Sequence, residues 1–249
     1  MAISYGATFW EAERKSIQCF EKYDIRLDAP VPLSVKRYYF DLIMSGTSTT
    51  WATGGAALRF VYGIDAGVHD IDILIESMDS DDAKYILDMC KYTENYNESG
   101  DKMCILSNGV VISLYNMNYV YGKDKRITER FLTMRGGYRV VKLEQLFAHW
   151  LFKVWAYTRK PDVDEPDRLR APWVVRDIIE MYHRDLDWGL VREAVKYFEL
   201  GDYIREVLEL AEGGNELIKV GYSMCYEWWG YPVKKCEQDF KNAVKNALP

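Results

Sequence analysis

The sequence predicts an α+β protein, with a β-sheet flanked by helices over residues 1–141 and a helical domain over residues 142–249. Three observations carry that expectation. Between Thr49 and Glu76 a β-prone run (Thr49 to Thr53) ends at Gly54-Gly55, a helix-forming run follows (Ala56 to Val61), and Asp70-Ile71-Asp72 opens a second apolar run through Ile75. Further on, Asn108-Gly109 separates two β-prone runs, a strong short-range hairpin signal. From Leu143 onward the apolar residues recur at three- and four-residue steps, the period of helices that bury one face.

Taken in order, Phe9 to Tyr23 has a helical pattern, and Ala29-Pro30-Val31-Pro32 breaks it. A second helix, about Leu33 to Met44, leads through Ser45-Gly46-Thr47 into the strand, glycine turn, helix and strand described above. Asp79-Ser80-Asp81 can cap a helix running to about Tyr92, and Thr93 to Asp101 has the composition of a polar loop. The hairpin strands are Lys102 to Ser107 and Val110 to Asn116, followed later by a short run, Tyr138 to Val141. In the long helix that starts near Leu143, the stripe is Leu143, Leu146, Phe147, Trp150, Leu151, Val154 and Trp155. Residues 161–167 form an acidic break, and a later stripe of Val174, Val175, Ile178 and Tyr182 marks another helix. Gly213-Gly214 and Gly230-Tyr231-Pro232 punctuate what remains.

Composition bounds the function. A chain of 249 residues, 49% hydrophobic, is long enough to bury a sizeable core. No apolar run reaches the length of a membrane span and the N-terminus has no signal-peptide core, so a cytoplasmic protein with no membrane partner is expected. Five cysteines (Cys19, Cys90, Cys104, Cys225 and Cys236), odd in number and without CxxC spacing, are expected to be thiols rather than a disulfide framework. Three histidines, His69, His149 and His183, give no zinc-site pattern. A net charge of −6 offers no general attraction for nucleic acid. One segment runs the other way: Lys123, Lys125, Arg126, Arg130, Arg135, Arg139 and Lys142 face only Asp124 and Glu129, and could meet phosphates or simply form a solvated basic face.

The chemistry is concentrated around the glycines and aspartates. Residues two apart on a strand point to the same face, so Asp70 and Asp72 project together while Ile71, Ile73 and Ile75 enter the core. Two adjacent carboxylates suit a hard divalent cation, and Mg²⁺ held by one or two carboxylates plus substrate phosphates is a common arrangement. Gly54 and Gly55, lacking Cβ atoms, would let phosphate oxygens approach the backbone N–H groups at the start of the following helix. In the hairpin, Val111, Ser113 and Tyr115 share one face of their strand. In the helical part, Lys153 and Asp177 lie at the margins of their apolar stripes, whereas Arg176 and Glu180 lie further round.

Gly54-Gly55, a helix, and then Asp70-Ile71-Asp72-Ile73 resemble the signature of the nucleotidyltransferase-fold superfamily. That resemblance implies a nucleotidyltransferase-like mixed β-sheet flanked by helices in the first domain. The chain departs from the superfamily pattern in its long spacer, in Ala66 and Val68 where many relatives carry Arg and Thr, and in Ser113 where many carry a third carboxylate. Val140 to Leu146, Lys153-Val154-Trp155-Ala156, Arg159 and Arg176-Asp177-Ile178 are similar to the later motifs of AbiEii-type nucleotidyltransferases, a group that includes type IV toxin–antitoxin toxins and MenT toxins. There a helical lysine and a helical aspartate join the first pair without a third strand carboxylate.

Carried over, the resemblance implies that Asp70 and Asp72 hold Mg²⁺, Gly54 and Gly55 contact the triphosphate, Lys153 binds phosphate and Asp177 completes the acidic site. Glu180 is the alternative for that last position, and the stripe geometry favours Asp177. The implied activity is transfer of an NMP unit from an NTP, ATP among the candidates, to an acceptor hydroxyl. For toxin-like members the acceptor is RNA, commonly the tRNA 3′ end, and a cognate antitoxin is an implied partner. The alternatives are an antibiotic-modifying transferase acting on a small molecule and a non-catalytic nucleotide-binding module of the same fold.

Overall fold

The structure, a computed structural model, describes residues 31–95, 100–121, 129–159 and 168–249. The helix expected over Phe9 to Tyr23 and the acidic break at 161–167 lie outside the described residues. The chain forms two compact units, one of Met1–Gly63 with Gly67–Lys142, the other of Ile64–Ala66 with Leu143–Pro249.

The first unit is built on seven strands: β1 (Thr50–Ala52), β2 (Ile71–Ile75), β3 (Tyr92–Asn95), β4 (Lys102–Ile105), β5 (Val111–Asn116), β6 (Leu132–Arg135) and β7 (Tyr138–Val141). They lie in the order β3-β4-β5-β2-β1-β7-β6. β2 runs parallel to β5 and antiparallel to β1, and β1 runs parallel to β7, so the sheet is mixed. Every residue of β2 is buried, as expected of a central strand covered on both faces. Among the described residues the helices that accompany the sheet are α1 (Leu33–Gly46), α2 (Gly54–Phe60), α3 (Asp81–Asp88) and α4 (Met117–Tyr121). Ser80 caps α3, its hydroxyl accepting from the Ala83 N–H at 3.1 Å.

The hairpin at Asn108-Gly109 joins β4 to β5 in antiparallel register, and Gly109 has φ +82°, the left-handed region that favours glycine. Two local expectations are corrected. The helix after Ser80 ends at Asp88, and the segment read as a polar loop contributes β3, an edge strand whose exposed polar alternation matches a strand paired on one side. Cys90 and Cys104 form a disulfide with Cα atoms 5.4 Å apart, overturning the expectation of thiols at those positions. Cys225 and Cys236 are buried thiols, and Cys19 is outside the described residues.

The basic segment divides. Lys123, Lys125 and Arg126 lie outside the described residues. Arg139 donates to the carbonyls of Thr50 at 2.9 Å, Met44 at 3.4 Å and Thr47, gathering the end of α1 and the start of β1 onto β7. Asp82 fixes the same loop from the other side, accepting from the N–H groups of Ser48 (2.9 Å) and Thr49 (2.5 Å). Arg135 places its guanidinium 5.0 Å from the centre of the Tyr62 ring. These two arginines have structural duties in the sheet unit.

The second unit is helical: α5 (Leu143–Arg159), α6 (Ala171–Tyr182), α7 (Trp188–Tyr197), α8 (Gly201–Glu212), α9 (Glu216–Trp229) and α10 (Val233–Ala247). Its core includes Leu146, Phe147, Leu151 and Val154 of α5 with Val175 and Ile178 of α6, all members of the stripes read from the sequence, and also Ile179, which lies outside them. Gly221 allows α9 to approach α6, because a Cβ there would stand 2.7 Å from Val175 Cβ and 2.9 Å from the Pro172 carbonyl oxygen. No helix among the described residues is long and apolar enough to cross a membrane.

Gly221→Val is expected to force α6 and α9 apart and lower stability by about 1–3 kcal/mol, read as a fall in melting temperature by circular dichroism.

Candidate active site

In the sheet unit, the alternation of a central strand places the two aspartates. Asp70 immediately precedes β2 and Asp72 is its second residue. Ser113, paired with Asp72 across the parallel ladder, donates its hydroxyl to Asp70 Oδ2 at 2.6 Å, and Tyr115 donates its phenol to Asp72 Oδ1 at 3.2 Å. Ser113 and Tyr115 are two residues apart on β5 and share a face, so the carboxylates they hold also lie on one face of the sheet. Asp72 is 5% exposed, whereas Asp70 is half-buried. Each carboxylate receives a hydroxyl donor from the neighbouring strand, which limits the directions it can take.

The glycines are required here by the protein's own atoms. Gly54 has φ +63°, and a Cβ on it would stand 1.7 Å from Asp72 Oδ2. A Cβ on Gly55 would stand 2.3 Å from the Gly67 carbonyl oxygen. Room for phosphate is one reason for glycine at these positions, but the structure supplies a nearer cause: Asp72 and the chain before β2 already occupy that space. The two residues also form the first positions of α2 rather than a turn ahead of it. Thr53, which precedes them, donates its N–H to the Asp72 carbonyl at 3.0 Å. Its hydroxyl is buried with no hydrogen-bond partner in the described structure.

Lys36, in α1, reaches the same region. Its ammonium group donates to the carbonyls of Val68 at 2.5 Å and His69 at 3.1 Å, just ahead of Asp70. Burial lowers the Lys36 pKa, and the nearby Asp70 charge opposes that shift. No sequence pattern pointed to Lys36, because its partners are backbone carbonyls far along the chain. Tyr115 was placed on the same strand face as Ser113, but its hydroxyl bond to Asp72 depends on strand pairing that a single strand does not display.

The residues present fit a hard cation. Two carboxylates on one face, with an unpartnered buried hydroxyl beside Asp72, match an ion that takes one or two protein carboxylates and completes its shell with water and phosphate oxygens. Among the described residues no group of three or more His, Cys, Asp or Glu side chains is disposed to hold a metal, so a closed protein cage is not built here.

In the helical unit, Asp177 is 3% exposed and Lys153 is half-buried at the margin of its stripe. Asp177 Oδ1 accepts from Arg176 Nη2 at 2.8 Å and Nε at 3.2 Å, and Oδ2 accepts from Trp150 Nε1 at 3.3 Å. Burial pushes the Asp177 carboxyl up to about 6, opposed by the Arg176 charge and hydrogen bonds and by Trp150, with Glu180 adding to the rise. The Lys153 ammonium sits 4.6 Å from the centre of the Trp150 ring, and burial together with that ammonium holds His149 well below its ordinary value.

Arg176, expected further round the helix, is 1% exposed, which corrects the reading of α6. Its guanidinium also donates to the Asp65 carbonyl and lies 5.0 Å from the Trp173 ring centre and 4.7 Å from that of Trp228. Glu180 accepts from the Asp65 N–H at 3.1 Å, so it holds a backbone segment of this unit.

The sequence matches no protein-family model and no curated protein. Two solved structures are similar. One is the crystal structure of JHP933 from Helicobacter pylori, at 8% identity and a TM-score of 0.46, covering 85% of this chain and 90% of that one. The other is an H. pylori protein provisionally named a nucleotidyltransferase, at 8% identity and a TM-score of 0.47, covering 84% of this chain and 93% of that one.

Asp177 binds its proton more tightly in the fold than in the unfolded chain. The native state therefore holds more protons between about pH 4 and pH 6, and this residue's contribution to stability falls as pH rises through that window. In Asp177→Asn that fall disappears, so the difference in melting temperature between the native chain and the variant should shrink or reverse as pH rises across it. Gly54→Ala is expected to displace the Asp72 carboxylate and destabilise the fold by about 1–3 kcal/mol, measurable by urea denaturation.

Proposed function

We propose that the protein is a metal-dependent nucleotidyltransferase that attaches an NMP unit from an NTP to an acceptor hydroxyl, releasing pyrophosphate. The observation that carries the reading is the aspartate pair on one sheet face, each carboxylate held by a β5 hydroxyl and Asp72 packed against Gly54. Asp70 and Asp72 would hold Mg²⁺, which when bound supplies charge neutralisation for the transferred group. Ser113 and Tyr115 keep the two carboxylates in place.

In-line displacement at the α-phosphorus needs positioning more than covalent help from the protein. The attacking acceptor oxygen bonds to phosphorus as the bond to the pyrophosphate oxygen breaks, and the acceptor proton passes to a nearby carboxylate or to water. Asp72 is the sheet residue offered for that proton. The resemblance assigns phosphate binding to Lys153 and an acidic role to Asp177, and these remain part of the proposal. So do contact of the Gly54-Gly55 backbone with the triphosphate, RNA as acceptor with the tRNA 3′ end foremost, and an antitoxin partner.

The absence of a third metal-ligating side chain within reach among the described residues favours one rival, a nucleotide-binding module without turnover. Incubation with each labelled NTP, Mg²⁺ and either total tRNA or a panel of hydroxylated small molecules separates the two. Transfer lost by about a hundredfold or more in Asp70→Asn and Asp72→Asn, with retained fold, is the expected result. NTP binding that is indifferent to Mg²⁺ and to both substitutions, with no transfer to any acceptor, would leave the module as the reading.

A further inference from the structure

We propose that Lys36 is a positioning residue for the aspartate pair: its ammonium group clamps the two carbonyls that lead into β2 and so fixes where Asp70 presents its carboxylate beside Asp72. This rests on the reading of the pair as a cation-binding site. Nζ of Lys36 donates to Val68 O at 2.5 Å and to His69 O at 3.1 Å, two consecutive carbonyls immediately before Asp70. The β2–β5 ladder begins only at Ile71, paired with Ile112, so the backbone of residues 68–69 lies outside it. Lys36 supplies the attachment from α1 that the ladder does not.

Asp70 is thus restrained from two directions, at its preceding backbone by Lys36 and at its carboxylate by the Ser113 hydroxyl 2.6 Å away. Asp72, by contrast, is held within the ladder, against Gly54 and by Tyr115. The half-buried member of the pair therefore depends on a side chain from outside the sheet, and a lysine suits the task because one ammonium carries three donors.

The charge on Lys36 makes the test decisive in sign. A cation near Asp70 repels a divalent ion, so loss of charge alone would tighten ion binding, whereas loss of positioning weakens it. Mn²⁺ is the probe, titrated into the full chain and followed by the paramagnetic resonance of free ion, with amide hydrogen exchange over residues 69–72 as a readout independent of any metal.

Lys36→Met, similar in length and lacking the donating ammonium, is expected to weaken Mn²⁺ binding about tenfold and speed exchange at residues 69–72 about tenfold, with the amides of Ile112 to Leu114 unchanged. Lys36→Arg, which keeps the charge and the donors, should stay within about threefold of the native chain on both readouts. Should Lys36→Met melt before titration, Lys36→Ala, which also lacks a donor and favours the helix, takes its place. Unchanged or tighter Mn²⁺ binding in a folded variant, or unchanged exchange at residues 69–72, overturns the assignment. If the native chain shows no Mn²⁺ binding that Asp70→Asn and Asp72→Asn remove, the transferase reading fails by itself. Exchange then decides on Lys36 alone, acceleration supporting the clamp and its absence refuting it.

Discussion

The carboxylate of Asp72 occupies the space in which any side chain at position 54 would stand, and much of the sheet unit follows from that contact. It requires glycine at the join between β1 and α2 and lets α2 begin directly behind the strand. It also brings the backbone close enough for the Thr53 N–H to bond the Asp72 carbonyl. A charged group buried to this degree is tolerable only when its lone pairs are engaged. The Tyr115 phenol engages one of them, which ties the contact to the parallel pairing of β2 with β5. Strand order, glycine turn and carboxylate placement are therefore one constraint seen from three sides.

The helical unit solves a related problem with the opposite charge. Arg176 is almost fully buried, and its planar group is faced by two tryptophan rings while its N–H donors reach the Asp177 carboxylate and the Asp65 carbonyl. Asp177 gains a counter-ion from this, yet burial still raises its proton affinity. Desolvation outweighs pairing at that carboxyl, as is common for ions removed from water.

Much of this was legible in the sequence where a short period governs. The two-residue alternation placed Asp70 and Asp72 on one face and singled out Ser113, and Asn108-Gly109 marked its hairpin. The three-to-four-residue period gave the stripes of α5 and α6. What was not legible depends on residues brought together from distant parts of the chain. The carbonyls that Lys36 clamps, the pairing of Cys90 with Cys104, and the Asp72 carboxylate beside Gly54 leave no local trace. β3 has no strand signature in the sequence, because an edge strand can be as polar as a loop. Arg176 lies away from the stripe on a helical wheel that assumes one covered face, whereas α6 packs against both α5 and α9 and so buries it.

The three residues Ile64–Ala66 belong to the helical unit although the chain on either side of them belongs to the sheet unit. The polypeptide therefore visits the second unit early, long before it builds the helices there. A nascent chain emerging from the ribosome carries the Asp65 carbonyl well ahead of the guanidinium that will bind it. A proteolytic nick after Lys142 would put the Asp65 carbonyl and the Arg176 guanidinium that bonds it on different fragments. The protein divides into two bodies in space but cannot be divided by a single cut.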